Sequence, residues 1–278
     1  MGKAGTTSMR EDIKDIATQM RKDIIEMLAE AHSGHPGGSL SICDVMAVLY
    51  FDKMNIDPKN PTWPDRDRLV LSKGHAAPTL YAALAERGYF PREELKGLRK
   101  IDSPLQGHPN MNDTPGVDAS SGSLGQGLAQ ANGMALAGRL DGKDYYVYCI
   151  MGDGEIQEGE VWEAAMAASH YKLNHVIAFI DDNNLQIDGT TDEVMTVRPI
   201  DEKFKAFGWN TMVIDGHDYQ AISDAIDEAK KSEDKPTCIV CKTIKGKGVS
   251  FMENQVGWHG KAPNAEQTDQ ALAELDAL

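Results

Sequence analysis

Apolar residues recur three or four positions apart over residues 8–31, at Met9, Ile13, Ile16, Met20, Ile24 and Met27, and predict an amphipathic helix. Residues 32–38 are too rich in Gly and Pro to continue it. A second helix is expected over 42–54, with Ser39 or Ser41 able to cap it. Residues 55–67, with three prolines, read as a loop, 68–72 as a short strand and 78–87 as a helix. Residues 101–123 have no period. A loop of that length in a compact domain is functional or disordered, and His108 between glycine and proline favours an ordered, functional one. A helix over 124–140 carries the small residues Gly127, Ala131, Gly133, Ala135 and Gly138, suited to close packing beside a sheet.

The central pattern lies at 145–189. Residues 145–151 form a buried strand broken by Gly152-Asp153-Gly154, whose glycines let the backbone approach a ligand. A helix over 160–171 places Trp162, Ala165, Met166 and Ser169 on one stripe. A second strand over 175–182 closes at Asp181-Asp182-Asn183-Asn184. Beyond it the pattern predicts a helix at 201–207, a strand at 209–215, a helix at 219–231, a strand at 237–244 and a helix at 267–278. This alternation predicts a single α/β domain over 1–278, a largely parallel sheet with helices on both faces.

At 278 residues the chain can bury a sizeable core, and its net charge of −15 argues against nucleic-acid and anionic-membrane surfaces. There is no apolar run of membrane length, and four cysteines suit a reducing cytoplasm. Cys238 and Cys241 look like a CxxC pair, but a strand there turns the two thiols to opposite faces, so packing is the expected role.

The two polar turns bring Asp153 and Asn183 to the carboxyl ends of neighbouring parallel strands, where open α/β sheets bind ligands. They offer a carboxylate and an amide oxygen, and a backbone carbonyl just after Asn183 can add a third. That set suits Mg²⁺, whose octahedron is commonly completed by phosphate and water. Four histidines sit beside glycine in loops, His35, His75, His108 and His259. They suit hydrogen bonds to diphosphate and sugar hydroxyls, or proton transfer near neutral pH. A zinc cluster is the rival reading, but the spacings match no short zinc motif. Residues 121–127 form a glycine loop that opens a helix, without the strand or spacing of a dinucleotide fingerprint or P-loop. Lys242, Lys245 and Lys247 read equally as a solvated strand end or as phosphate contacts.

Taken in order, HSGHPGGSLS at 32–41, LSKGHAAPTLYAAL at 71–84, QGHPN at 106–110, SSGSLGQGLAQANGMALA at 120–137, GDGEIQEGEVWEA at 152–164, DDNNLQIDG at 181–189 and WHGKAP at 258–263 resemble the amino-terminal half of the transketolase family. The resemblance implies a thiamine-diphosphate-binding fold, the diphosphate-binding domain, with thiamine diphosphate and Mg²⁺ as cofactors, Ca²⁺ or Mn²⁺ substituting. It implies Asp153, Asn183 and the Leu185 carbonyl as metal ligands. The implied cofactor-binding set is Gly122, Ser123, Leu124, Gly152, Asp153, Gly154, Glu155, Asn183 and Leu185, with His75 and His259. His35, His75, His108 and His259 are the implied catalytic histidines, and Glu158 a residue at an inter-subunit contact. Larger members often read Gly-Pro-Leu-Gly where this chain has Gly122-Ser-Leu-Gly125, which leaves the branch open.

The reaction implied is transfer of a two-carbon ketol unit from a ketose phosphate to an aldose phosphate, with xylulose 5-phosphate the expected donor. In the family an acid against the aminopyrimidine ring, and most sugar-phosphate contacts, lie in later domains. The expectation is therefore a complete subunit of a split transketolase. A partner chain would carry the pyrimidine-binding and carboxyl-terminal domains in an α2β2 or similar assembly. A truncated longer enzyme, a deoxyxylulose-phosphate synthase-like or ketoacid dehydrogenase subunit, and a non-catalytic cofactor-binding regulatory subunit are the alternatives. The two Gly-His-Pro motifs and WHGKAP favour transketolase over the other thiamine enzymes.

Overall fold

The computed structural model describes residues 4–278, with side chains from residue 12 onward. Five strands, β1 (Arg68–Leu71), β2 (Val147–Gly152), β3 (Val176–Asp182), β6 (Asn210–Asp215) and β7 (Thr237–Lys242), form one sheet in the order β1-β2-β3-β7-β6. Every neighbouring pair is parallel. Two-residue strands β4 (Leu185–Gln186) and β5 (Gly189–Thr190) make a separate antiparallel hairpin. The helices are α1 (Ala4–Ala31), α2 (Pro36–Ser41), α3 (Cys43–Val48), α4 (Ala77–Arg87), α5 (Gly127–Leu140), α6 (Gly159–His170), α7 (Thr191–Val194), α8 (Ile200–Ala206), α9 (Tyr219–Ala229) and α10 (Ala265–Asp276).

Strand alternation divides the core into two layers. Tyr148, Ile150, Ile177, Phe179, Ile239 and Cys241 belong to a cluster with residues of α1, α3, α4 and α9, and α10 packs on α1 at its outer side. Val147, Cys149, Met151, Ala178, Ile180, Cys238 and Val240 pack against α5, α6 and α8. Cys238 and Cys241 thus face opposite layers, and all four cysteines are buried and free. Among the described residues no helix is long and apolar enough to cross a membrane.

Several expectations are corrected. The first helix does end at Ala31, as expected, but a short helix, α2, starts within the 32–38 stretch at Pro36, because proline at the first helical position gives up an amide that has no intrahelical partner. The 42–54 helix is instead α3 followed by a wider π turn, Leu49–Lys53, and neither serine caps it. Ser39 donates back to the His35 carbonyl (2.7 Å), and Ser41 donates across to Asp181 (2.5 Å). The helix expected from residue 124 begins at Gly127. On α6 the buried stripe is Val161, Ala164, Ala165 and Ala168, while Met166 is 60% exposed. Trp162 is half-buried, donating to the Ile156 carbonyl (2.9 Å) and packing on Phe204 and Phe207. The side chain of Met9 lies outside the described residues.

Candidate active site

The carboxyl ends of β1, β2, β3 and β7 open onto one edge of the sheet, and α2 meets them there. After β2 the chain turns through Asp153, whose carboxylate accepts the amides of Gly154 (2.9 Å) and Asn184 (2.6 Å). After β3, the Asn183 side chain donates to Asp181 (3.1 Å) and accepts from the Leu185 amide (3.1 Å). Asn184 is left-handed (φ 60°), and its side-chain oxygen accepts from Thr191 (2.7 Å) and Arg198 (2.8 Å). The βαβ unit β2-α6-β3 therefore brings Asp153, Asn183 and Leu185 together.

Under these turns lies a buried ion pair. The Lys73 ammonium, at the end of β1, contacts Asp181 and donates to the Gly38 carbonyl (2.6 Å). Burial alone would push the Asp181 carboxyl up, but Lys73 and donors from Ser41 and Thr243 hold it below its ordinary value. Beside it Lys245, past the end of β7, is 2% exposed and reaches the Leu185 carbonyl (3.0 Å) and His259 Nδ1 (2.9 Å). Burial, then the nearby Lys73, lower its pKa to about 8. Lys242 instead pairs with Asp182, and Lys247 approaches Glu253 at 3.7 Å. Of the three lysines only Lys245 enters the site.

His35, His75 and His259 form a triangle with ring centroids 5.2–5.4 Å apart. Burial and the cations around them keep all three neutral at pH 7. His35 falls to about 4 through burial and then Arg99. His259 falls to about 3 through burial and then Lys245, and His75 lies well below 6.5 through burial and then Lys73. His35 Nδ1 is buried without a protein partner. His108 is more exposed, lowered by burial and Arg99, and lies close to Gly122, where a methyl group would stand 3.3 Å from its ring.

Gly122, Ser123 and Leu124 form an exposed rim. That rim is carried by a close backbone approach: a methyl on Gly74 would stand 2.8 Å from the Gly122 nitrogen. Glu155 faces inward as a strut. Its carboxylate accepts from Ser72, from the Gly125 amide (2.9 Å) and from the Gly152 amide (3.0 Å), so it ties the rim to β1 and β2 rather than facing a ligand. Glu158 is exposed just ahead of α6.

These residues fit a diphosphate held through a hard cation. Burial, then Asp181 and Asp182, raise the Asp153 pKa to about 7, so a cation bound beside it would favour its ionised form. One carboxylate, one amide oxygen and one carbonyl are hard donors. The Leu185 carbonyl already faces a cationic group, the Lys245 ammonium. That ammonium contacts a carbonyl and an imidazole, and among the described residues no carboxylate pairs with it, which leaves its charge free for an anionic ligand. Among the described residues no group of three or more His, Cys, Asp or Glu is placed to hold a metal.

Lys73 and Asp181 escaped the sequence reading. The only signal was their place at strand ends, beside Gly74-His75 and Asn183.

The family model described as "Transketolase, thiamine diphosphate binding domain" matches residues 13–276. The chain is 49% identical to the 6-deoxy-6-sulfo-D-fructose transketolase subunit of Clostridium sp. strain MSTE9, over 95% of this chain and 96% of that one. It is 42% identical to an apulose-4-phosphate transketolase subunit of Phocaeicola vulgatus, over 92% and 90%. The crystal structure of transketolase from Campylobacter jejuni superposes with a TM-score of 0.90 at 36% identity, covering 95% of this chain but 42% of that one. With the match running nearly end to end, the chain belongs to the transketolase family, as its thiamine diphosphate binding domain.

Proposed function

We propose that the chain is the diphosphate-binding subunit of a two-chain transketolase that moves a two-carbon ketol unit from an anionic ketose to an aldose phosphate. The observation that carries this reading is the difference in coverage. Two relatives named as subunits are matched over 96% and 90% of their length, and a single-chain transketolase over only 42%. The partner would supply the pyrimidine-binding and carboxyl-terminal domains, including the acid that faces the aminopyrimidine ring, in an α2β2 assembly. The two relatives' names carry a sulfo-sugar and a sugar phosphate, so the donor is assigned as a ketose with an anionic tail.

Thiamine diphosphate, held through Mg²⁺, supplies the carbon nucleophile and the electron sink. Asp153, Asn183 and the Leu185 carbonyl are assigned to the cation, with Ca²⁺ or Mn²⁺ able to replace it. Lys245, His75, Gly152 and Gly154 are assigned to the diphosphate, and Gly122, Ser123 and Leu124 to the rings. Neutral His35, His108 and His259 orient sugar hydroxyls, and His35 Nδ1, buried and unpartnered, is the atom placed to accept or return a proton.

The test is ketol transfer to ribose 5-phosphate with Mg²⁺ and thiamine diphosphate, using xylulose 5-phosphate and 6-deoxy-6-sulfofructose as donors. It is run with the chain alone and with a candidate partner. Turnover only in the mixture supports the split enzyme, and turnover by the chain alone refutes it. Turnover with pyruvate in place of both ketoses would reassign the chain to another thiamine enzyme.

A further inference from the structure

Lys245 is buried on a loop that lies beyond the end of β7, and something must hold that loop at its position. The geometry points to a buried clamp of Arg21, Asp44 and His217 that grips the loop on both sides of Lys245 and so positions its ammonium for the diphosphate. This rests on the diphosphate role assigned to Lys245 above.

Asp44, on α3, is 2% exposed and lies in the layer opposite α5 and α6. Its carboxylate accepts both ends of the Arg21 guanidinium (2.9 and 2.6 Å), the Tyr219 hydroxyl (2.8 Å) and His217 Nδ1 (2.7 Å). His217 Nε2 in turn meets the backbone amide of Ile244 at 2.9 Å. A backbone amide can only donate, so Nε2 is the acceptor and the ring proton sits on Nδ1, pointing at Asp44. The imidazole is thereby fixed in one tautomer between a carboxylate and the residue before Lys245.

Arg21 completes the grip from the other side. Its Nε, not engaged with Asp44, donates to the Lys247 carbonyl at 3.2 Å. Residues 244 and 247 are thus both tied to one buried carboxylate, each through one side chain, with Lys245 between them. Backbone bonds also hold the loop, from the Gly246 amide to the Gly37 carbonyl (3.0 Å) and from the Asn254 amide to the Lys245 carbonyl (2.9 Å), and the Gly248 amide donates to the Glu253 carboxylate (2.9 Å). His217 touches neither cation site nor histidine triangle; it acts through the Ile244 amide as a positioning residue.

Two substitutions separate this role from general stability. In H217N the side-chain amide still donates to Asp44 but stops short of Ile244. In H217Q the longer amide places its oxygen near the Nε2 position and can accept from Ile244. Hydrogen exchange of the Ile244 amide is measured in the cofactor-free full chain, and affinity for thiamine diphosphate with Mg²⁺ in the assembled enzyme. Loss of the one hydrogen bond should speed Ile244 exchange about tenfold in H217N and weaken cofactor affinity by a similar factor, with H217Q restoring both to within about threefold. Equal behaviour of the two variants, or affinity loss that only follows a fall in melting temperature, overturns the clamp. If the wild-type assembly binds no thiamine diphosphate, the proposed function fails, while the exchange comparison still decides whether His217 holds the loop.

Discussion

The backbone amide of Asn184 donates to the Asp153 carboxylate over 2.6 Å, which ties the turn after β2 to the turn after β3. A substitution at Asp153 removes both a candidate cation ligand and the bond that joins the turns. Asp153→Ala should cut Mg²⁺-dependent thiamine diphosphate affinity more than about 100-fold, beyond the roughly 10–100-fold usual for outer-shell changes. Asp153→Asn, which keeps the shape and loses the charge, should fall between. Titration calorimetry with Mg²⁺ and with EDTA checks this; unchanged affinity in the alanine variant would remove Asp153 from the ligand set.

The histidine triangle predicts acid sensitivity. His35 and His259 are lowered from 6.5 to about 4 and about 3, and His75 lies well below 6.5, each chiefly by burial. The unfolded chain then binds more protons than the folded one below pH 6.5, so stability present at neutral pH is lost as pH falls toward 4. Each such group contributes at most about 1.4 kcal/mol per pH unit in that window. Urea unfolding between pH 7 and 4.5 should show a shallower slope for His75→Asn than for wild type; parallel slopes would exclude this origin.

Asp23 predicts the opposite trend. Its carboxyl is 1% exposed and pushed up to about 7 by burial, against the pull of Arg92 and with Glu86 adding to the rise. A carboxyl raised this way stabilises the fold below its unfolded value of 3.8, and that contribution is lost as pH rises to about 7. Relative to wild type, Asp23→Asn should therefore be more stable at pH 8 than at pH 5. The same difference at both values would show that Asp23 is ionised throughout.

Close backbone approaches make two glycines sensitive. A methyl on Gly127 would stand 2.8 Å from Ser72 Cα, and one on Gly74 would stand 2.9 Å from the Ser121 carbonyl carbon. Gly127→Ala should cost about 1–3 kcal/mol of stability, as overpacked sites do. Gly74→Ala should in addition shift the Gly122–Leu124 rim and lower cofactor affinity, which binding measured well below the melting temperature will separate. Full stability and affinity in both would mean that the loop yields freely.

The central strands were legible because their apolar runs are continuous. β3 and β7 are buried almost throughout, and composition alone marks them. α6 was legible as a helix but not in its facing, because alanines look alike on either side and Met166 drew the stripe one residue off. The Gly-Pro segment at 34–36 marked the end of α1 but hid the start of α2, since proline blocks a helix interior but suits its first turn. Asp153, Asn183 and the glycine-flanked histidines stood out because turns at strand ends have few structural reasons for such residues. Lys73 and Asp181 did not, and Lys245 read equally as a solvated strand end or a phosphate contact, since a lysine at a strand end looks solvated until the neighbouring strand and the loop at 258–259 are seen to cover it.

The division of the core also distributes the cysteines evenly. Cys43 and Cys241 lie in the layer under α1 and α4, Cys149 and Cys238 in the layer under α5 and α6. Burial pushes all four thiols up, so they are inert while packed. Each can be alkylated only when its own side of the sheet opens. Single-cysteine versions of the chain would therefore act as two clocks, timing the breathing of each half of the interior and telling which half quietens when cofactor or partner arrives.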